Sequence, residues 1–318
     1  MTLDPQVKSF LDMLAGLGGP PLEQLPVAEA RSVALAMVDF SGPEEPIAEV
    51  ANRSIIGPAG PIAVRMYRPE LSEKLPALIY FHGGGYVIGS LDSHDRLCRA
   101  LANASGCAVI AVDYRLAPEH KYPAAVDDAY AATCYIAEHA AEFNIDPNRI
   151  AVGGDSAGGS LATVVCLLSR DRSGPRLQYQ LLIYPWVDFY GQNPSMQQYA
   201  KDHFLTRAGL DWFTENYLPN RESGLEPSAS PMYATNVQGL PRAMIITAEC
   251  DPLRDQGEAY ARKLEGAGIP VQLKRYNGMI HPFLNLAGVI DAAKSAIADA
   301  GSAVREALAN ATPAGTSL

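Results

Sequence analysis

The stretch "AVGGDSAGGS", residues 151–160, sets Ser156 between Gly154 and Gly158, with "RIAVGG" before it and "SAGGSLATVVCLLSR" after it. The first run has strand character and the second helical character, so Ser156 stands where a strand hands over to a helix. A serine on such a bend holds strained backbone angles, needs small neighbours, and gains an exposed hydroxyl suited to nucleophilic attack. The same turn puts the Ala157 N–H at a helix N-terminus, where it can meet developing negative charge. A phosphate-binding loop is the main rival, but no Lys follows the glycines and the spacing matches neither the phosphate-loop nor the dinucleotide pattern.

A nucleophilic serine requires a base, a group that orients the base, and donors for the oxyanion. Two histidines lie downstream, His203 and His281. His281 follows the strand-like "VQLKRY" and a loop "NGMI", which is where a base belongs; His203 falls in a segment that interrupts the sheet pattern. The acid is expected just after the preceding strand, "RAMIITAE", which favours Asp251, with Glu249 at the strand end and Asp255 in the next helical turn as alternatives. Donors are expected from "HGGG", His82 to Gly85, directly after the strand-like "LPALIYF". There Gly83, Gly84 and Gly85 let backbone N–H groups point inward, and His82 is read as holding the loop by hydrogen bonds.

These residues imply a scaffold that alternates. "IAEVANRSII" and "PIAVRMYRP", joined by "GPAG", read as a hairpin, and six further short apolar runs are separated for the most part by helical patterns. Strand–helix–strand repetition gives an α/β fold, a mostly parallel sheet with helices on both faces. Two segments stand outside the alternation. The N-terminal stretch places Val7, Phe10, Leu11, Leu14 and Leu17 at helical spacing, and the run from about Asp188 to Glu226 carries Trp212, Phe213 and Tyr217. Both are expected to form a lid over the carboxyl edge of the sheet.

The blocks "FHGGGYVIGS", "DYRLAPEHKYPAAVDDAY", "GGDSAGG", "DPLRDQGEAY" and "GMIHPF", in this order from about Pro76 to Phe283, resemble those of the bacterial hormone-sensitive-lipase-like carboxylesterases. The resemblance implies an α/β-hydrolase core of eight strands with a helical cap. Divided that way, residues 1–45 are the N-terminal part of the cap, 46–187 the first part of the core, 188–226 the cap insertion and 227–318 the second part of the core. It also implies a triad of Ser156, Asp251 and His281 and an oxyanion hole from the Gly83, Gly84, Gly85 and Ala157 amides. Pro282 departs from the glycine usual in the family but removes no catalytic atom.

The expected activity is serine carboxylesterase action on short- to medium-chain esters through an acyl-enzyme, with no metal or organic cofactor. Amidase, lactonase or deacetylase action by the same triad, an interfacial lipase, and a non-catalytic ligand-binding protein on the hydrolase fold are the alternatives. The last would be expected to lack a triad member. Tyr86 and Trp212 are read as pocket walls. The charged block "DYRLAPEH", with Asp113, Arg115, Glu119 and His120, is read as a structural network.

Composition bounds partners. The chain has 318 residues, 48% of them hydrophobic, and a formal net charge of -10 with no Lys/Arg cluster, which disfavours nucleic acid and anionic membranes. No secretion-signal pattern opens the chain and no apolar run nears ~20 residues, so a cytoplasmic protein acting on a small ester is expected. Five cysteines show no metal-ligand spacing and read as free, mostly buried thiols. An exposed edge strand offers a route to a homodimer.

Overall fold

A computed structural model describes residues 2–71 and 74–309. Residues 1, 72–73 and 310–318, which fall within the expected cap and core boundaries, lie outside the described residues. The expected hairpin is β1 (Glu49–Gly57) and β2 (Gly60–Arg68), followed by β3 (Leu75–Phe81), β4 (Ala108–Asp113), β5 (Ile145–Asp155), β6 (Tyr179–Ile183), β7 (Arg242–Cys250) and β8 (Val271–Ile280). Among the described residues these eight strands form one sheet in the order β1-β2-β4-β3-β5-β6-β7-β8. Only β2 runs against its neighbours; from β4 to β8 all pairs are parallel.

Parallel neighbours need crossovers, and helices supply them. Alternate residues of β3 enter opposite cores: Ala77, Ile79 and Phe81 join one apolar cluster, Leu78 and Tyr80 the other. α4 (Ala124–Glu138), α5 (Ala157–Asp171) and α8 (Arg254–Gly266) pack on the first side, while α3 (Asp95–Ser105) and α9 (Asp291–Ala309) pack on the second. Because both faces are covered, the central strands read as continuous apolar runs, and each fully buried aliphatic side chain contributes about 1.5–3 kcal/mol. α3 buries Leu97, Cys98, Leu101 and Ala102 on one face and stops at Gly106, whose φ of 68° suits glycine.

The register fixes the site. Phe81 pairs with Gly154, Asp155 with Ile183, and Ile183 with Ile246, so the strands end along one edge. Ser156, Asp251 and His281 each directly follow a strand's last residue, as His82 does. In this respect "NGMI" differs from expectation: it is strand rather than loop. Ala248 pairs with Tyr276 and Cys250 with Ile280, so two residues of β7 span four of β8, and Gly278 at φ 71° takes up the excess.

The N-terminal segment contains α1 (Pro5–Leu17), capped by the Asp4 side chain accepting from Gln6 N at 2.8 Å, and α2 (Val27–Ala36). Val7 and Phe10 are buried and Leu11 and Leu14 pack partly, but Leu17 is 72% exposed. The apolar stripe therefore ends one turn earlier than its spacing suggests, because the last turn of α1 projects beyond the surface it covers. Asp4 N donates to Gly278 O at 3.1 Å, Ser41 Oγ to Asn285 O at 2.7 Å, and Gly288 N to Phe40 O at 2.9 Å. Gln6 exchanges two 2.9 Å hydrogen bonds with Asp291, giving from Nε2 and accepting from the backbone N–H.

The 188–226 segment carries α6 (Pro194–Gln198) and α7 (Arg207–Tyr217), the latter capped by Thr206 Oγ1 accepting from Gly209 N at 2.9 Å. It meets the N-terminal segment through the Phe10 and Phe204 rings, 6.1 Å apart, and a Thr206–Glu23 hydrogen bond of 3.4 Å. In "DYRLAPEH", Arg115 binds both oxygens of buried Asp128 at 2.8 Å, and Glu119 pairs with Arg31 of α2 at 2.6 Å. Asp113 and His120 are exposed and so do not form a buried network. All five cysteines are free, and four are buried.

Candidate active site

Ser156 occupies φ 55° and ψ -118°, a conformation that costs a non-glycine residue on the order of 1–3 kcal/mol. Three backbone bonds hold it there: Ser156 N gives to Ile183 O at 2.9 Å, while its carbonyl accepts from Trp186 N at 3.1 Å and Ser160 N at 3.2 Å. A Cβ at Gly154 or Gly158 would run into the Phe81 carbonyl, which is why the bend needs both glycines. Cβ atoms at Gly153 and Gly159 would be tight but tolerable, the nearest atoms being Leu181 Cβ and Pro185 Cβ, each at 3.0 Å.

The ends of β7 and β8 bring the next two residues together. Asp251, fully buried, receives His281 Nδ1 at 2.8 Å on Oδ2 and Leu253 N at 2.8 Å on Oδ1. His281 is 5% exposed, and its ring lies 4.6 Å from that of Tyr184. The alternatives are engaged elsewhere. Glu249 Oε2 accepts from Gly278 N at 2.7 Å, and Asp255 accepts from Ser195 N at 2.7 Å and Arg254 Nε at 2.8 Å. His203 sits in the insertion with Nδ1 2.6 Å from Lys201 O.

The glycine loop expected to supply oxyanion donors departs from expectation at one amide. Gly83 N gives a 2.9 Å hydrogen bond to Asp155 Oδ1, with His94 Nε2 at 3.3 Å, so this amide is committed to a buried carboxylate and is not free to meet an oxyanion. Among the described residues no acceptor engages the amides of Gly84, Gly85 or Ala157. Gly84 at φ 116° and Gly85 at φ 58° hold the turn, and the Gly84 carbonyl accepts from Val87 N and Ile88 N. His82 supports the loop as expected: its Nδ1 is 2.7 Å from Gly83 O, its carbonyl accepts from Tyr114 Oη at 2.7 Å, and its ring stacks on Tyr114. Burial, reinforced by His94, pushes its pKa down to about 4, so the imidazole is neutral.

Aromatic side chains close over this loop. Tyr86, 2% exposed, stacks on Tyr217 of α7 at 3.9 Å and lies 6.1 Å from Phe189 and 6.4 Å from Trp186. Trp212 is partly buried and meets Phe213 edge-on at 5.1 Å. Phe213 itself presses against Gly85, where a Cβ would collide with its ring. Two residues were not singled out from the sequence. Helical spacing marks Phe213 only as one of three aromatics, and Asp155 lies inside "GGDSAGG", where a small acidic residue resembles ordinary turn chemistry.

Asp155 is 1% exposed. Burial alone would raise its pKa, but His94 and the Tyr80 hydroxyl outweigh that and bring it down to about 2. Among the described residues, no group of three or more His, Cys, Asp or Glu is placed to hold a metal ion. Nor is any helix among them long and apolar enough to cross a membrane.

Comparison with known proteins agrees with this fold. A family model described as alpha/beta hydrolase fold matches residues 78–285. The chain is 43% identical over 295 residues to the carboxylic ester hydrolase LipN of Mycobacterium tuberculosis, covering 90% of this chain and 78% of that protein. It is 44% identical over 238 residues to an ethyl acetate hydrolase of Pseudomonas putida, covering 73% and 74% of the two chains. The crystal structure of a thermostable esterase from Pseudomonas putida ECU1011 superposes with a TM-score of 0.94 at 40% identity, covering 96% of this chain and 98% of that one.

Proposed function

The chain belongs to the hormone-sensitive-lipase-like branch of the α/β-hydrolase family, a serine carboxylesterase by that membership, and from this we propose that Ser156, His281 and Asp251 carry out the hydrolysis. The observation that carries this reading is the 2.8 Å Asp251–His281 contact at the ends of adjacent strands, with Ser156 on the bend that ends β5. Asp251 accepts the hydrogen bond from Nδ1–H and so fixes the tautomer, which leaves His281 Nε2 to accept the Ser156 hydroxyl proton as Oγ bonds to the ester carbonyl carbon. The oxyanion is met by the Ala157 amide and those of Gly84 or Gly85. His281 then returns the proton to the departing alkoxide oxygen, and the alcohol leaves. Water repeats the sequence on the acyl-enzyme to release the acid.

The substrate is proposed to be a small ester of short to medium chain length, because Phe213 and the Tyr86–Tyr217 stack crowd the oxyanion loop. The segments 1–45 and 188–226 serve as one cap, held together by the Phe10–Phe204 and Thr206–Glu23 contacts. Five free thiols suit a reducing, cytoplasmic setting. The outer edge of β8, the last strand in the sheet, would carry a homodimer.

Rates on p-nitrophenyl esters of increasing chain length, with Ser156→Ala as the blank, test this reading. Ser156→Ala is expected to lower kcat by roughly 10³ or more. Near-normal hydrolysis by that variant overturns the assignment.

A further inference from the structure

The Asp155 carboxylate is bonded to two of the segments that the proposed chemistry must align, the Gly83–Gly85 loop and the turn beyond His281. It is the last residue of β5, and its own backbone continues directly into Ser156. One oxygen, Oδ1, accepts from Tyr80 Oη at 2.8 Å and from Gly83 N at 2.9 Å. The other, Oδ2, accepts from Asn285 Nδ2 at 3.2 Å and lies 3.3 Å from His94 Nε2.

These partners come from four places in the chain: β3, the loop after it, the residue that precedes α3, and the single 3-10 turn Phe283–Leu286 that begins two residues beyond His281. One buried anion is thus bonded to the oxyanion loop on one side and to the histidine-bearing segment on the other. A buried carboxylate is unfavourable unless donors surround it, and here they do. A Cβ at Gly83 would collide with this carboxylate, so the loop has settled against it as closely as a backbone can. The contact also explains which amides remain free. By taking the Gly83 N–H, Asp155 turns the loop so that Gly84 and Gly85 keep theirs.

We propose that Asp155 is a positioning residue for ester hydrolysis: its carboxylate holds the Gly83–Gly85 loop and the Phe283–Leu286 turn in fixed relation to Ser156. The free amides and the His281 imidazole then meet the same carbonyl group. This rests on the assignment of Ser156 and His281 made above. A purely structural carboxylate would lower stability when changed but would leave the kcat of the surviving folded enzyme intact.

The test uses full-length wild type, Asp155→Asn, the exchange Asp155→Asn with Asn285→Asp, Asn285→Ala and Ser156→Ala. Steady-state kinetics on p-nitrophenyl butyrate and thermal midpoints are measured for each. Asp155→Asn keeps an acceptor for Tyr80 and Gly83 but sets an N–H against the Asn285 amide donor, so kcat is expected to fall ~10²-fold with KM within ~3-fold. The exchange restores a donor opposite an acceptor and is expected to recover kcat at least ~10-fold over the single variant. Asn285→Ala removes only the second tether and is expected to lower kcat ~10-fold, which keeps the test open if Asp155→Asn does not fold.

A folded Asp155→Asn with kcat within ~3-fold of wild type overturns the proposal, as does recovery of the midpoint without recovery of kcat in the exchange. If Asp155→Asn does not fold, an unchanged kcat in Asn285→Ala overturns it. Loss of activity in Ser156→Ala alongside a normal Asp155→Asn rejects this inference alone; retained activity in Ser156→Ala rejects the triad assignment beneath it.

Discussion

The ring of Tyr86 lies flat on the ring of Tyr217, centroids 3.9 Å apart and planes 7° from parallel. One directly follows the Gly83–Gly85 loop and the other ends α7, so the stack joins the 188–226 segment to the loop proposed to stabilise the oxyanion. Ala117 N binds the Tyr86 carbonyl at 2.9 Å and Tyr122 N binds that of Tyr217 at 3.0 Å, which anchors both backbones.

Removing the stack is expected to loosen both ends. Tyr217→Leu should destabilise the fold by about 1–3 kcal/mol and raise KM for p-nitrophenyl butyrate, read by chemical denaturation and steady-state kinetics. Tyr217→Phe provides the contrast. The Tyr217 hydroxyl is buried without a hydrogen-bond partner among the described residues, so its loss should leave stability unchanged or raise it slightly. A Tyr217→Leu enzyme with wild-type midpoint and KM would contradict the coupling.

His82 predicts how stability changes with acid. Its pKa is lowered from the ordinary 6.5 to about 4, first by burial, and its Nε2 has no partner for a second proton among the described residues. Between those values the unfolded chain binds the proton and the folded chain does not, so stability falls as pH drops from 6.5 to about 4. Asp155 adds a lower limb, its contribution being present above pH 3.8 and lost as pH falls through about 2. His82→Asn keeps a donor for Gly83 O but cannot protonate. Its thermal midpoint should be lower than wild type at pH 7 and should decline less steeply down to pH 4.5; parallel declines would refute the role of His82.

The glycines of the serine bend should differ sharply in tolerance. In Gly158→Ala the new methyl would meet Phe81 O, with Phe81 C at 2.5 Å and His82 O at 2.6 Å, and backbone cannot step aside cheaply. That variant is expected to lose activity by at least ~10²-fold or fail to accumulate as folded protein. Gly159→Ala places its methyl 3.0 Å from Pro185 Cβ and should retain activity within ~10-fold. Equal rates for the two in an ester assay would show that the bend is not held as tightly as these contacts imply.

Much of this arrangement was legible in the sequence because strand ends announce themselves. The strand-like runs "RIAVGG", "RAMIITAE" and "VQLKRY" stop within a few residues of Ser156, Asp251 and His281, which sets the polar residues of interest just beyond strand ends. What was not legible depends on side chains crossing between strands. A glycine triplet cannot say which of its amides is free; that is decided by the reach of Asp155 from β5 to Gly83 beyond the end of β3, a consequence of the Phe81–Gly154 register. Likewise "NGMI" reads as loop because Asn and Gly favour turns, whereas pairing with β7 keeps it in the sheet and absorbs the extra residues as a bulge. Leu17 fits the helical period of its neighbours, but periodicity does not tell where the covered surface ends.

The clasp between the two ends of the chain has a bearing on biosynthesis. The Gln6–Asp291 bonds close across 285 residues of sequence, and Asp4, Phe40 and Ser41 likewise hold segments that leave the ribosome long after them. Contacts so distant along the chain form late. Until β8 and α9 emerge, α1 lacks the partners that Gly278 and Asp291 supply, although Phe10 can already meet Phe40 and Phe204. His281, which directly follows β8, therefore takes its place at the same late stage that docks α1, so the proposed catalytic histidine and the N-terminal helix are set together.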